Sequence, residues 1–336
     1  MTILVTGGGG FVGINLAEEL IGRGKRIVLF DRHGLPEPAL RLLRERDPAL
    51  EVVAGDVRDS AALGQAFTDF EVRSVIHTAA VTADAAREAR EPGAIVDVNV
   101  LGTVRVLQAA RSAGCERVVH VSSGAAYGKT HSEEQVLFEE LSPSRPEDIY
   151  GISKFAAEQS ALRLAGLWGL RVTCVRLGSV CGPWEFATGV RDLLSAQLQV
   201  VQLALRAQEA VLPAQEAWRD WIYSRDVAAG LADVLEAHTP AHGLYHLSSG
   251  IDWRGSFGYL CSTLQQAYPG FSWRIAAPGE QPNVSFVVEH DRARMDIRRM
   301  VHDIGFRPRF GPHEAYRDYL GWVQRHEDFL LASPSR

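Results

Sequence analysis

An α/β fold built on a doubly wound parallel sheet is what this 336-residue sequence predicts. Three observations carry that prediction. Short β-branched runs alternate with amphipathic stretches through the first half of the chain, a glycine-rich turn joins the first run to the first stretch, and the composition, 46% hydrophobic and 23% charged, is that of an ordinary globular protein.

In chain order, the strand candidates are Thr2–Thr6, Arg26–Phe30, Glu51–Ala54, Ser74–Thr78, Arg117–Ser122 and Arg171–Arg176. Helical stretches lie between them, chief among them Phe11–Gly22, Arg87–Ala113 and Pro146–Trp168, so six strands joined by five crossovers form one sheet covered on both faces. After Pro183 the rhythm changes. A helix over Asp192–Gln208 leads to a short apolar piece, Ala210–Pro213, an aromatic stretch, Trp218–Tyr223, a helix over Asp226–His238 and a strand over Gly243–Ser248. Beyond Ile251 come a helix near Ser256–Ala267, a strand near Ser285–Glu289 and a charged helix near Asp296–Ile304. The expected organisation is a main domain of residues 1–178, to which 219–248 return, and a smaller interleaved lobe of 179–218 and 249–336. The acid-rich segment Lys129–Arg145 reads as a long surface loop.

Bulk properties exclude several classes of function. A formal charge of −6 offers no basic excess for a phosphate backbone or an anionic membrane surface, so neither nucleic acid nor membrane is an expected partner. Cys115, Cys174, Cys181 and Cys261 lack C-x-x-C spacing and read as reduced, buried thiols. The eleven histidines show no H-x-x-x-H or mixed Cys/His ligand spacing, and no metal is implied. Met1 leads directly into an apolar strand without a leader pattern, which makes a cytoplasmic protein the expectation.

The segment from Ile3 to Gly13 places Gly7, Gly10 and Gly13 in a G-x-x-G-x-x-G spacing between a strand and a helix. Small residues let the backbone approach a pyrophosphate, whose charge the unpaired N–H groups at the helix N-terminus hold, with Phe11 and Val12 in that first turn. The pattern is that of a Rossmann dinucleotide site. Asp31 ends the second strand, where a carboxylate can accept both adenosine-ribose hydroxyls; that favours NAD, and Arg32 beside it keeps NADP open. Asp56 and Val57, after the third strand, suit an adenine edge and face, or are simply a strand-to-loop sequence. Ala79 and Ala80 end the fourth strand with room for a cofactor to cross, and Thr82 follows on the substrate side, whereas His77 reads as a satisfied core histidine.

Tyr150 and Lys154 stand four residues apart, so on a helix both project from one face. A lysine cation near a tyrosine hydroxyl favours the phenolate and makes it usable as a general acid and base. The same lysine can anchor a nicotinamide ribose. Ser122 and Ser123 end the fifth strand at the carboxyl edge of the sheet; Ser123 is the choice for the hydroxyl that shares a substrate oxygen with Tyr150, and Ser122 supports the turn beside the cofactor.

In order, T-G-G-G-G-F-V-G (6–13), Asp31, G-D-V (55–57), H-T-A-A (77–80), V-S-S-G-A-A-Y-G (121–128) and Y-G-I-S-K (150–154) resemble the extended short-chain dehydrogenase/reductase superfamily. Within it, they are similar to the NAD-dependent epimerase/dehydratase family, which includes nucleotide-sugar 4-epimerases. The resemblance continues through 176–183, 219–228 and 296–308. It implies that Tyr150 is the base, Lys154 its modulator and ribose anchor, and Ser123 the substrate-oxygen partner. It also implies that Asn99 stands beside the cofactor and that two chains pair through the helices Arg87–Ala113 and Pro146–Trp168.

The departures bear on substrate. Gly124 and Ala125 stand where dehydratases of the family carry Asp-Glu, which argues against elimination of water. Ser179 replaces an asparagine that contacts the diphosphate in nucleotide-sugar enzymes, and 277–284 lack the arginine of the R-x-G-D-V stretch. Arg219 is retained, for a phosphate, a carboxylate or a structural salt bridge, and with Thr82, Gly124 and Ser179 makes the expected substrate wall. Three readings remain: an epimerase of a sugar-like substrate, a dehydrogenase of a small polyol, sugar or hydroxy acid without a nucleotide, and a non-catalytic NAD-binding regulator.

Overall fold

The computed structural model describes residues 1–130, 136–215, 219–238, 240–286 and 292–332. Seven parallel strands form the main sheet: β1 (Thr2–Thr6), β2 (Arg26–Asp31), β3 (Glu51–Ala54), β4 (Val72–His77), β5 (Arg117–Ser123), β6 (Val172–Leu177) and β7 (Leu244–Leu247). Their order across the sheet is β7-β6-β5-β4-β1-β2-β3. The chain thus winds one way from β1 to β3 and the other way from β4 to β7, and the reversal opens a crevice at the carboxyl ends of β1 and β4, where such sheets bind ligands. The six-strand expectation falls one short, because Leu244–Leu247 pairs in parallel with β6 as a buried edge.

Strand burial explains the uninterrupted apolar runs. Both faces are covered, so β1 and β6 are buried at every position. Leu16, Leu20 and Leu231 pack on one face, and Leu63, Phe67 and Leu107 on the other. A separate core, with Trp184, Trp253, Phe271, Tyr316 and Trp322, lies in the C-terminal half and takes in Ile14 and Ala39 from the N-terminal half. Cys115, Cys174, Cys181 and Cys261 are all free and buried.

Two helices differ from expectation for local reasons. The stretch expected as one helix over Arg87–Ala113 is Ala85–Arg90, Pro92–Val96, a π-wound turn at Asp97–Gly102, and Thr103–Ser112. Pro92 crowds the residue before it, and Glu91 leaves helical geometry at φ −143° and ψ 52°. The run Pro92–Ser112 has the length and hydropathy of a membrane span but packs against the helices Ser60–Asp69 and Ile149–Trp168. The second expected helix, Pro146–Trp168, begins at Ile149 because the Asp148 carboxylate caps it, accepting from the Gly151 amide at 2.6 Å. It ends at Gly169, in left-handed geometry.

Beyond the main sheet, Ala196–Leu205 is helical after a Ser195 cap, shorter than the expected 192–208. Glu209–Leu212 pairs with Ser272–Ile275, and Trp221–Tyr223 pairs with Ser179–Cys181. The segment 129–145 is not simply a surface loop: Val136–Leu137 pairs with Arg294–Met295, and Leu137 and Glu139 are buried. Its residues 131–135 lie outside the described residues, as do 287–289 of the strand expected at Ser285–Glu289 and Trp218 of the aromatic stretch.

Candidate active site

The turn after β1 is built so tightly that only glycine fits at its key positions. Gly7 has φ +72°, and a Cβ there would lie 2.6 Å from the amide nitrogen of Ala79 at the tip of β4. At Gly13, a Cβ would lie 2.2 Å from the Gly7 carbonyl oxygen, so the helix could not approach the strand. The helix Phe11–Gly22 that follows has Gly10 as its N-cap and no side-chain cap, so its first amides keep their capacity to bind an anion. Gly7, Gly10, Phe11, Val12 and Gly13 all line one cavity of about 570 Å³. A backbone cradle with uncapped amides fits a dinucleotide pyrophosphate.

The same cavity is lined by Ala80, Thr82, Ser122, Ser123, Tyr150, Lys154, Ser179 and Arg219. Ser123 ends β5, and its Oγ accepts from the Ala125 amide at 3.1 Å, which caps the turn and orients the hydroxyl. Tyr150 is in the first turn of the Ile149–Trp168 helix; its backbone amide donates to Glu88 at 3.1 Å, and its phenol makes no hydrogen bond to any described residue. One turn on, Lys154 is 3% exposed, and its Nζ donates to the Val121 carbonyl at 2.6 Å. Burial pulls the Lys154 ammonium down to about 8, against the opposing pull of Glu158.

Two histidines share that buried volume. His77 bridges Thr6 at 2.6 Å and Thr103 at 3.0 Å, the satisfied core histidine expected, and burial with the nearby Lys154 pushes it down to about 3. His120, 5.5 Å from it between ring centres, has no hydrogen-bond partner among the described residues, and burial holds it well below its ordinary value. Burial and the Lys154 charge both disfavour a positive charge on either ring.

Ser122 points the other way from Ser123, as successive strand residues do. Its hydroxyl donates to Glu158 at 2.8 Å, and Glu158 accepts from Arg176 Nε and Nη2 at 2.8 and 2.6 Å. The Arg176 guanidinium lies 4.3 Å over the Tyr127 ring, and the Tyr127 hydroxyl meets His246 at 2.6 Å. A fully buried polar layer therefore backs the strand that carries Ser123.

Other expected site residues stand outside the cavity lining. Asp31 accepts from the Gly9 amide at 3.1 Å and the His33 amide at 2.9 Å, which places its carboxylate beside the glycine turn. Arg32 leans on His33 and stands 3.8 Å from Asp56. Asp56 is tied to Arg58 at 2.7 Å, which holds its carboxyl below the usual range. Val57 packs where a Cβ on Gly102 would fall, and Ala79 closes over Gly7. Asn99, 1% exposed, spends its amide on the Val81 amide and carbonyl and on Ser153, so it braces the β4 tip against the Ile149–Trp168 helix. Gly124 packs near Met295 and does not line the cavity.

Sequence reasoning missed Glu158, Arg176, Asp148, Glu88 and Arg292, of which the last three line the cavity. Glu158 alone left a usable signal, being eight residues after Tyr150 and four after Lys154 on one helix face. Among the described residues, no cluster of side chains could hold a metal ion.

A glycine cradle, a strand-tip serine and a helical Tyr–Lys pair around one crevice define the class of extended short-chain NAD-dependent oxidoreductases. Residues 3–246 match the model of the NAD dependent epimerase/dehydratase family, and the chain belongs to that family. It is 36% identical over 186 residues, 55% of this chain, to sterol demethylase protein B of Methylococcus capsulatus, of whose length the match spans 53%. It is 28% identical to dTDP-glucose 4,6-dehydratase of Streptomyces antibioticus, covering 96% of this chain and 92% of that protein. Among solved structures, the UDP-glucose 4-epimerase of Thermus thermophilus in complex with NAD is 26% identical, with a TM-score of 0.74 over 96% of this chain and 99% of that one.

Proposed function

We propose that the chain catalyses NAD-dependent hydride transfer at a secondary alcohol of a sugar-like substrate, with Ser123, Tyr150 and Lys154 as its catalytic set. The observation that carries the reading is that all three line the cavity that also holds the Gly7–Gly13 turn. The uncapped amides of that turn would hold the pyrophosphate of NAD, Asp31 would take the adenosine ribose, and the bound nicotinamide would supply the hydride acceptor.

The chain's own residues do the proton work. Ser123 donates to the substrate oxygen and fixes it at the tip of β5, while Tyr150, its hydroxyl oxygen unengaged, takes the substrate hydroxyl proton as the phenolate and gives it back as the phenol. Lys154, buried one turn below and held by the Val121 carbonyl, would stabilise the phenolate through its positive charge and would hold the nicotinamide ribose by a hydrogen bond. Gly124 and Ala125 supply no acid pair for elimination, so the outcome is epimerisation or oxidation.

Absorbance at 340 nm of the NAD-loaded protein separates these: an epimerase shows no net change on turnover, and a dehydrogenase accumulates NADH. A substrate without a nucleotide is the second reading, favoured by Ser179 on the cavity wall. Tyr150→Phe is expected to lower turnover by about 10²–10⁴-fold with NAD affinity retained. Unchanged turnover would remove Tyr150 from the chemistry. A homodimer through the Pro92–Ser112 and Ile149–Trp168 helices is also proposed, supported by exposed Val96, Leu101 and Ile152.

A further inference from the structure

Three arginines line the cavity, and their charges are met differently. Arg191 pairs with Glu185 at 2.7 Å. Arg219, 6% exposed, donates from Nε and Nη2 to the Phe286 carbonyl at 3.3 and 3.2 Å. Arg292 is half-buried and makes no hydrogen bond or ion pair with any described residue. Its Nε is closed off from solvent without an acceptor among the described residues.

Its electrostatic neighbours are Asp148, Tyr150 and Asp220, and both carboxylates are otherwise engaged. Asp148 caps the Ile149–Trp168 helix. Asp220 accepts from Ser248 at 2.5 Å and from the Met295 amide at 3.0 Å. Of the other acids lining the cavity, Asp84 accepts from the Arg87 amide, and Glu88 accepts from the Tyr150 amide. A guanidinium presents a planar fork of donors that matches a carboxylate in two parallel bonds. Arg292 holds such a fork in the cavity with Tyr150 among its neighbours, where the proposed reaction would place the substrate hydroxyl.

We propose that Arg292 is a specificity-determining residue that receives a carboxylate carried by the substrate close to its reacting carbinol, so that the preferred substrates are sugar acids or related hydroxy acids. The inference rests on the reading of Tyr150 as the proton-transfer group. It also accounts for a second cationic site on the substrate wall, remote in sequence from the retained Arg219.

The test uses the full chain loaded with NAD and titration calorimetry. Dissociation constants are compared for glucuronic acid against glucose and for UDP-glucuronic acid against UDP-glucose, with glucose 6-phosphate as a third arm. Wild type is expected to favour the acid of at least one pair by on the order of tenfold, Arg292→Gln to bring that ratio to about one, and Arg292→Lys to keep part of it. NAD affinity, read in the same samples, is expected to stay within about twofold in every variant, which shows the variants folded. The proposal is overturned if no acid is preferred by wild type, if the preference survives Arg292→Gln, or if the phosphate binds more tightly than the acids. Failure of wild type to take up NAD would instead overturn the functional reading beneath it.

Discussion

Lys154 and Glu158 are two buried charges one helical turn apart, and the molecule treats them in opposite ways. Lys154 is 3% exposed, lines the cavity and has, among the described residues, one backbone carbonyl as its hydrogen-bond partner, and burial drags its ammonium down to about 8. Glu158 is fully buried, does not line the cavity and accepts from Ser122 and twice from Arg176. An underpaired buried charge costs stability and is retained where chemistry needs it, whereas a fully paired one holds the scaffold in register. Ser122 and Ser123 repeat the contrast on β5: one hydroxyl is locked into the scaffold, and the next is presented to the cavity.

The contrast can be broken most forcefully at Glu158. Glu158→Gln leaves Arg176 buried without its counter-charge and is expected to lower unfolding stability by about 3–5 kcal/mol, read from denaturant midpoints. Lys154→Met is expected to move stability the other way. In the cofactor-free protein the native state gives up the Lys154 proton near 8 and the unfolded chain near 10.5, so holding the charge destabilises the native state below that window by up to about 3 kcal/mol. Wild-type stability attributable to this group rises with pH from about 8 to 10.5, so the methionine variant is more stable at pH 7 and its advantage fades across that window. Turnover is lost at every pH. The smallest effect separates the two serines. Ser122→Ala should cost about 2 kcal/mol through the lost bond to Glu158. Ser123→Ala should cost only about 1 kcal/mol, through the lost turn cap, but should depress turnover. Equal stability losses at both positions would erase the distinction.

Legibility in the sequence followed how each part is built. The Gly7–Gly13 turn is a backbone structure encoded by contiguous residues, and its glycines, the strand β1 and the helix after it were readable directly. The Tyr150–Lys154 pair was readable because helical periodicity places residues four apart on one face. The break at Glu91–Pro92 was also local, yet the apolar pattern on both sides concealed it. What could not be read was the assembly of side chains from distant segments. Glu158 finds Arg176 and Ser122, Asn99 finds Val81 and Ser153, and Arg292, two residues before the strand Arg294–Met295 that pairs with Val136–Leu137, lines a cavity whose other residues come from distant segments. The seventh strand was visible as a strand, but its place at the sheet edge is a tertiary fact.

In the proposed reaction the phenol of Tyr150, with Lys154 below it, stands beside a nicotinamide at the sheet's carboxyl edge. A crystal structure of the NAD complex tests it most directly. Pyrophosphate is expected on the amides of the Gly10–Gly13 turn and the nicotinamide ribose within about 3 Å of Lys154 Nζ or the Tyr150 hydroxyl. A dinucleotide bound with its nicotinamide away from both residues would contradict it.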